Sequence, residues 1–274
     1  MKNIAFGQYY PGNSVIHRMD PRAKIIMAML YIVCTFICKN VMGFLALTTV
    51  TVLIIAMSRI PIRIVLASIK PLLFILAFTS MINIFATKGE HLLTPEGWFL
   101  KVYEEGLWNA LFMMLRIVAL LVSTGVFMSF TTTPIALTDA MEQLLSPLKR
   151  LHVPVHDVAM MTTIAMRFIP TLMEETEKIM NAQKSRGADF YNGSLVQRAK
   201  ALLPIFIPLL SSAFKRADEL ANAMDCRCYH GGEGRTKLKV LHMNGWDVLG
   251  MILVLMFGVG IFFLNRSGIG YTMS

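Results

Sequence analysis

Long stretches without charged residues are the feature that most limits how this chain can fold. A helix needs about 17–25 mostly apolar residues to cross a lipid bilayer, and five runs come close to or meet that requirement. We therefore predict an all-α membrane protein with about five transmembrane helices. The predicted spans are Ile25–Cys38 with its flanks, Val41–Met57, Leu72–Ala86 extended by Ile69–Pro71, Leu107–Phe130 and Trp246–Leu264.

The overall composition supports a membrane protein over a soluble one. Of the 274 residues, 55% are hydrophobic and 16% are charged, whereas soluble domains carry about 25% charged residues. The net charge of +9 would suggest nucleic acid in a soluble protein. In a membrane protein, basic residues gather in cytoplasmic loops, so the predicted partner is the lipid bilayer and not nucleic acid. Residues 1–24 contain no apolar core of a cleavable signal peptide.

The distribution of lysine and arginine predicts the orientation of the spans. The N-terminal arm and the connection between the second and third spans are basic, whereas residues 87–106 are slightly acidic. The positive-inside rule then places the N-terminus and residues 131–245 in the cytoplasm and the C-terminus outside the cell. The prediction is a multi-pass protein of the plasma membrane. The basic residues on the predicted inner side are Lys2, Arg18, Arg22, Lys24, Arg59, Arg63 and Lys70, whereas the turn between the first two spans has only Lys39.

Residues 134–245 read as three successive helices on the cytoplasmic side or at the membrane interface. The predicted helices are Pro134–Leu151, Val155–Phe190 and Leu195–Tyr229. The last two share one plan, an apolar first half marked by proline and a polar end. The apolar run 201–214 is too short to span a bilayer. This divides the chain into a membrane part (1–133), a cytoplasmic helical domain (134–245), and a last span with its tail (246–274).

The polar ends of the two long helices match in sequence. The segment 181–187 (NAQKSRG) aligns without gaps on 222–228 (NAMDCRC), which places Arg186 and Arg227 at equivalent positions. The helix dipole favours a cation at a helix C-terminus, and a guanidinium offers a planar fork of donors to carboxylates or carbonyls. Two matched ends favour two equivalent docking grooves on a partner. The alternative is that each arginine only satisfies the dipole or meets lipid phosphate.

These features together resemble the T components of energy-coupling factor (ECF) transporters. The resemblance covers nearly the whole chain, from residues 7–11 (GQYYP) and 14–24 (SVIHRMDPRAK) through the five spans. It is sharpest at two short motifs, Ser185-Arg186-Gly187 and Cys226-Arg227-Cys228. In that family an X-R-X motif, often Ala-Arg-Gly, ends each of two long cytoplasmic helices. Cys226 and Cys228 replace the usual small residues, which predicts a more crowded approach at that end.

The resemblance implies a coupling role without catalysis or cofactor. Arg186 and Arg227 would each enter a groove on one of two ABC-type ATPase subunits, and the flanking residues of each motif would contact the same groove. Motion of the ATPase pair would pass through the helices to a small membrane-embedded S component, which binds a vitamin or other micronutrient. The interfacial runs 158–173 and 201–214 would contact this component.

Other features of the sequence favour different classes only weakly. The glycine-rich segment 231–236 lacks the Gly-Lys-Ser/Thr ending of a phosphate-binding loop. Cys226, Cys228, His230 and His242 do not have the usual spacing of a zinc site, and no metal is predicted. Cys34 and Cys38 complete the set of cysteines, and no disulfide framework is predicted.

Arg116 is the notable charge within a predicted span. A charge at that depth faces protein or water, so Arg116 is a candidate contact with another subunit. Snorkelling, or pairing with a polar residue such as Asn83, is the alternative. Asp20 is predicted to cap the first span. A permease with its own substrate path would need more such charges, and a membrane enzyme would need a catalytic cluster that the sequence does not display.

Overall fold

The structure is a computed structural model of the chain. It describes residues 9–87, 103–151, 153–188, 190, 194–231 and 241–266. Gly7 and Gln8, most of the acidic loop 87–106, part of the turn 189–194 and most of the glycine-rich segment 231–236 lie outside the described residues.

Helices make up the regular structure of the described ranges, which confirms the predicted all-α class. They are α1 (Val15–Arg18), α2 (Pro21–Ile37), α3 (Val41–Ser58), α4 (Ile62–Ile69), α5 (Leu73–Ala86), α6 (Glu104–Thr124), α7 (Pro134–Leu144), α8 (Val155–Ser185), α9 (Leu195–Asp225) and α10 (Gly245–Arg266). Short 3₁₀ segments cover Lys70–Leu72 and Ser146–Leu151, and a π-helical segment covers Gly125–Phe130.

Four helical stretches in the described part are long and apolar enough to cross a membrane. These are Val41–Ser58, Ile62–Phe85, Glu104–Phe130 and Gly245–Arg266. Helix α2 has 17 residues, at the short end of the range of about 17–25 that spanning helices need. The multi-pass membrane character is therefore established, and the fifth span at α2 stays a prediction.

One predicted span has a different beginning in the structure. It starts at Ile62 and not at Leu72, because α4 continues through the 3₁₀ segment that contains Pro71 into α5. The charge of Arg63 led to the prediction of a loop here. Arg63 instead lies in the first turn of α4, where its side chain is exposed. A long basic side chain near a helix end can reach the interface while its stem covers apolar surface.

The chain divides into two compact units, residues 1–140 with 240–274 and residues 141–239. In the first unit, α2 and α10 lie side by side and run in the same direction. The backbone N–H of Asp20 donates to Asp247 Oδ1 (3.1 Å) where the helices begin, and Asn40 Nδ2 donates to the carbonyl of Leu264 (2.9 Å) where they end. Which membrane face each end occupies stays a prediction.

Polar groups inside the first unit are paired where its helices begin. Asp20 accepts a hydrogen bond from the backbone N–H of Arg22 (2.9 Å), which confirms the predicted cap of α2. Lys24 is almost completely buried, and its Nζ donates to the carbonyl of Thr131 (3.0 Å) and to Thr132 Oγ1 (3.3 Å). These bonds satisfy a buried ammonium group, which would otherwise be costly to place at this depth. They also tie α2 to the end of the π-helical segment.

Close packing between α2 and α10 gives a testable stability prediction. A Cβ added at Gly258 would lie 2.7 Å from the buried Sγ of Cys34. We expect Gly258→Ala to destabilise the protein by about 1–3 kcal/mol, the usual cost of overpacking. Gly260→Ala in the same helix is the matched control, since a Cβ there meets nothing within 4 Å. Thermal unfolding of both variants in detergent checks this, and equal unfolding temperatures would contradict the described packing.

Candidate functional site

The candidate site is built on α8 and α9, the two long helices of the second unit. Each has 31 residues. The start of α9 is fixed by a capping box, in which Ser194 accepts from the backbone of Gln197 and Gln197 accepts from the backbone of Ser194. Pro170 lies inside α8, and two prolines lie inside α9, so the proline-marked apolar halves are helical despite the lost N–H donors.

Both helices end earlier than the sequence pattern predicts. Helix α8 ends at Ser185 and not at Phe190, and α9 ends at Asp225 and not at Tyr229. The periodic spacing of apolar residues does not show where a helix stops, because the stop depends on the backbone torsion angles of the residues that follow. The two arginines consequently lie at the exit of each helix, outside its last turn.

The end of α8 is closed by a Schellman turn around Arg186. Gly187 has a φ of 86°, the left-handed conformation that glycine adopts without steric cost. The N–H of Gly187 donates to the carbonyl of Lys184 (3.0 Å), and the N–H of Ala188 donates to that of Gln183 (3.0 Å). This pair of bonds satisfies carbonyls that the helix leaves open. Arg186 is thereby held at the C-cap position.

The end of α9 has the same turn around Arg227. The N–H of Cys228 donates to the carbonyl of Asp225 (2.9 Å), and the N–H of Tyr229 donates to that of Met224 (3.1 Å). Each bond is the counterpart of a bond at the end of α8, displaced by 41 positions. Cys228 replaces glycine with a φ of 55°, a conformation that costs a residue with a Cβ about 1–2 kcal/mol.

The matched turns present both arginines to solvent in the same local setting. Arg186 and Arg227 are exposed, as are the four flanking motif residues Ser185, Gly187, Cys226 and Cys228. The four cysteines of the chain, all in described ranges, are free thiols, and the two of the second motif are exposed. A guanidinium fork held at an exposed helix end is available to a concave partner surface.

An ion pair joins the two helices at a contact called the crossing below. Arg216 of α9 donates to Glu175 Oε2 of α8 at 3.1 Å. These two residues are 41 positions apart, which is the same displacement that relates Arg186 to Arg227. Contact between equivalent positions is what a two-fold axis through the crossing produces. Arg186 and Arg227 each lie 11 residues beyond the pair, about 16 Å along the helix direction at 1.5 Å per residue.

The electrostatics of the crossing favour a charged pair. The pKa of Glu175 lies below its ordinary value because the Ser212 hydroxyl donates to the carboxylate, and the charge of Arg216 adds to this effect. Both side chains are partly exposed, at 37% for Arg216 and 25% for Glu175, and exposed pairs add little stability. The pair therefore serves to set the register between the helices more than to stabilise them.

A groove of about 490 Å³ adjoins the second motif. Met160 and Ile164 of α8 line it on one side. Leu220 and Met224 of α9, with Arg227 just after that helix, line it on the other. Because residues near the start of α8 lie beside residues near the end of α9, the two helices run in opposite directions. The two arginines consequently lie on opposite sides of the crossing, as separate contact points.

Comparison with known proteins decides the family. Residues 12–238 match the CbiQ family, described as cobalt transport protein. An energy-coupling factor transporter transmembrane protein, EcfT, of Ruminiclostridium cellulolyticum is 50% identical over 91% of this chain and 92% of its own length. The protein of the same description from Bacillus subtilis is 44% identical over 97% of this chain and 99% of its own length. The chain belongs to this family of ECF transporter transmembrane proteins.

The family match covers the arginine motifs at the ends of α8 and α9 and stops before α10 begins. ECF transporter transmembrane proteins of 44–50% identity extend over more than nine tenths of the chain, and the predicted resemblance is therefore confirmed. Sequence reasoning missed Glu175 and Arg216. Extending the 41-residue displacement upstream from the matched ends would have placed these opposite charges at equivalent positions.

The other predicted site residue of this family member, Arg116, is engaged within the first unit. Its guanidinium donates to the carbonyl of Cys38 at 2.8 Å and lies over the ring of Phe44 at 5.3 Å. Asn83 donates to the carbonyl of Thr79 (2.9 Å). Contact of Arg116 with another subunit stays a prediction.

Proposed function

We propose that this chain is the non-catalytic coupling subunit of an ATP-driven importer, with Arg186 and Arg227 docking on two ABC-type ATPase subunits. The observation that carries the proposal is the pair of identical Schellman turns, which hold two exposed arginines in one geometry. A single C-terminal arginine is common, since the helix dipole favours it. Two arginines in matched turns suit two related partner surfaces. They are 41 positions apart in the sequence, as are Glu175 and Arg216.

The crossing explains how one pair of helices could serve two partners. Glu175 and Arg216 lie at the crossing, and the arginines lie about 16 Å along each helix from it. When ATP binding closes the ATPase pair, the two docking points move toward each other. The crossed helices then change their angle about the contact, and their apolar halves shift.

The apolar half of α9 supplies the surface for a membrane-embedded partner. Its large side chains follow helical spacing and are exposed within the second unit, as at Leu203, Phe206, Ile207, Leu210 and Phe214. A contiguous exposed apolar face marks a protein or membrane contact. We assign it to the S component, which binds a vitamin or other micronutrient and releases it into the cell. Relatives are described as cobalt transport protein and ECF transporter transmembrane protein.

The proposed topology follows from the same assignment. The ATPases hydrolyse cytoplasmic ATP, so the coupling domain 134–245 and the N-terminus lie in the cytoplasm of a cell whose plasma membrane holds the protein. The last helix then carries the C-terminus outside. The parallel arrangement of α2 and α10 agrees with this, since both would start from the inner face.

Photo-crosslinking tests the docking points separately. A photoreactive residue placed at Ser185 or at Cys226, each next to a docking arginine and exposed, is expected to crosslink to an ATP-binding subunit in native membranes. The same residue at Lys215, exposed in α9 and about 16 Å along the helix from Cys226, is the control and should give no such product. Crosslinking to lipid alone from both motif positions would refute the docking assignment.

A further inference from the structure

A second basic feature lies in the first unit, where α2 begins and α3 ends. Arg18 and Arg59 line a cavity of about 480 Å³ together with Asn13 and Ser14. Arg18 also lines a neighbouring cavity of about 310 Å³, to which Trp246 contributes. The two hollows share Val15 and Arg18 in their linings, lie wholly within the first unit, and are together called the Arg18–Arg59 cavity below.

The two arginines of this cavity lack an acidic partner among the described residues. Arg18 and Arg59 are exposed and take part in none of the ion pairs found there. Asp247 also lines the smaller hollow, but it is buried and accepts hydrogen bonds from the backbone N–H groups of Asp20 (3.1 Å) and Asn244 (2.8 Å). The larger hollow, which both arginines line, has no carboxylate in its lining, and this favours an anion there.

Apolar side chains surround this basic hollow. Val15 and Met57 line the larger hollow and are more than half exposed, at 55% and 51%. Trp246 in the smaller one is 73% exposed, and tryptophan is enriched at membrane–water interfaces. Met57 belongs to α3, one of the helices able to span the membrane. The cavity therefore has an anion-binding part next to a surface suited to acyl chains.

Backbone strain at Arg59 adds an independent observation. Arg59 ends α3 with a φ of 53°, in the left-handed region where helices usually place glycine or asparagine. Residues in such conformations cluster at active sites and ligand-binding sites. Glycine at this position would relieve the strain but would remove the guanidinium.

We propose that the Arg18–Arg59 cavity binds the phosphate of an anionic phospholipid headgroup. The guanidinium forks of Arg18 and Arg59 hold the phosphate oxygens, and Val15 and Met57 contact the acyl chains. Inorganic phosphate shares the same recognition chemistry, but it gains nothing from the adjoining apolar surface, so the lipid is the ligand. The proposal rests on the first unit alone and stands apart from the coupling function.

Native mass spectrometry of the purified full-length chain with added phosphatidylglycerol tests the site. Replacing both residues, in Arg18→Gln/Arg59→Gln, is expected to weaken retention of the tightest lipid about thirty-fold. This follows from about 1 kcal/mol for each basic group at an anionic surface and a factor of ten per 1.4 kcal/mol. Arg266→Gln is the matched control, since that exposed arginine ends α10 at the other end of the bundle.

A second variant separates binding from folding. Arg59→Gly is expected to lose about five-fold in lipid retention while its unfolding temperature stays equal to or above that of wild type, because the strain is relieved. Equal retention by wild type and the double variant would overturn the proposal. Equal binding of phosphatidylcholine and phosphatidylglycerol would overturn it too. Displacement of the lipid by millimolar inorganic phosphate would show that the site binds the free anion, and it would overturn the proposal of a lipid ligand.

Discussion

The double change Arg186→Ala/Arg227→Ala is expected to abolish assembly with both ATPases and to stop uptake. A buried interface arginine at a hot spot contributes about 2 kcal/mol or more, which corresponds to about a thirty-fold loss for each single variant. Loss of both removes the two contact points on either side of the crossing. Co-purification of the ATPases with the tagged chain, together with uptake in cells, measures this.

Three comparisons make this prediction specific to the arginine tips. Arg150→Ala, at an exposed arginine of the same unit, should assemble and transport as wild type does. Lysine at the two docking positions keeps the charge but loses the planar fork, so it should give an intermediate loss. Membrane insertion of the double variant should be normal, because both arginines are exposed. Wild-type yields of both ATPases with the double variant would disprove the docking role.

A β-branched residue at Gly187 is expected to have the second largest effect. Gly187 has a φ of 86°, and valine is a true outlier in that region. An ordinary side chain in this conformation costs about 1–2 kcal/mol of conformational free energy, and valine costs more. Gly187→Val should therefore break the Schellman turn. Arg186 would lose its fixed position, and co-purification of one ATPase should fall about ten-fold or more.

The equivalent position in α9 supplies the matched control. Cys228 already holds a left-handed conformation with a φ of 55°, so Cys228→Gly relieves strain and should keep assembly and uptake at wild-type levels or above. Gly187 has open space around it, since an added Cβ meets nothing within 4 Å. A loss in Gly187→Val therefore reports on the backbone angle and not on a clash. Unchanged assembly of Gly187→Val would show that the turn geometry is unimportant.

Within residues 134–245, the sequence predicted where helices begin better than where they end. Pro134 and Ser194 carry local signals for a helix start, and α7 and α9 begin there as the pattern indicated. The ends of α8 and α9 were predicted five and four residues too late, at Phe190 and Tyr229. Cys228 hides the turn in α9, because cysteine gives no sign that it will adopt a left-handed conformation.

The matched arginines could be predicted because the two segments that contain them align with each other in the sequence. Hydrogen-bond partners far apart in the sequence could not be predicted in this way. Arg116 donates to a carbonyl 78 positions away, at Cys38, and a backbone acceptor leaves no trace in the side-chain pattern. The crossing pair of Glu175 and Arg216 could have been found by extending the displacement upstream. The third span was predicted to be too short because Arg63 and Lys70 suggested a loop. Long basic side chains are nevertheless tolerated near helix ends.

Purification of the full chain from its native membrane in mild detergent, with mass spectrometry of what accompanies it, tests the central claim most directly. The proposed coupling role predicts two ABC-type ATPases and one or more small, very hydrophobic membrane proteins, whose identity would name the substrate. Recovery of the chain alone across several detergents would contradict the coupling role. It would favour a permease with its own substrate path.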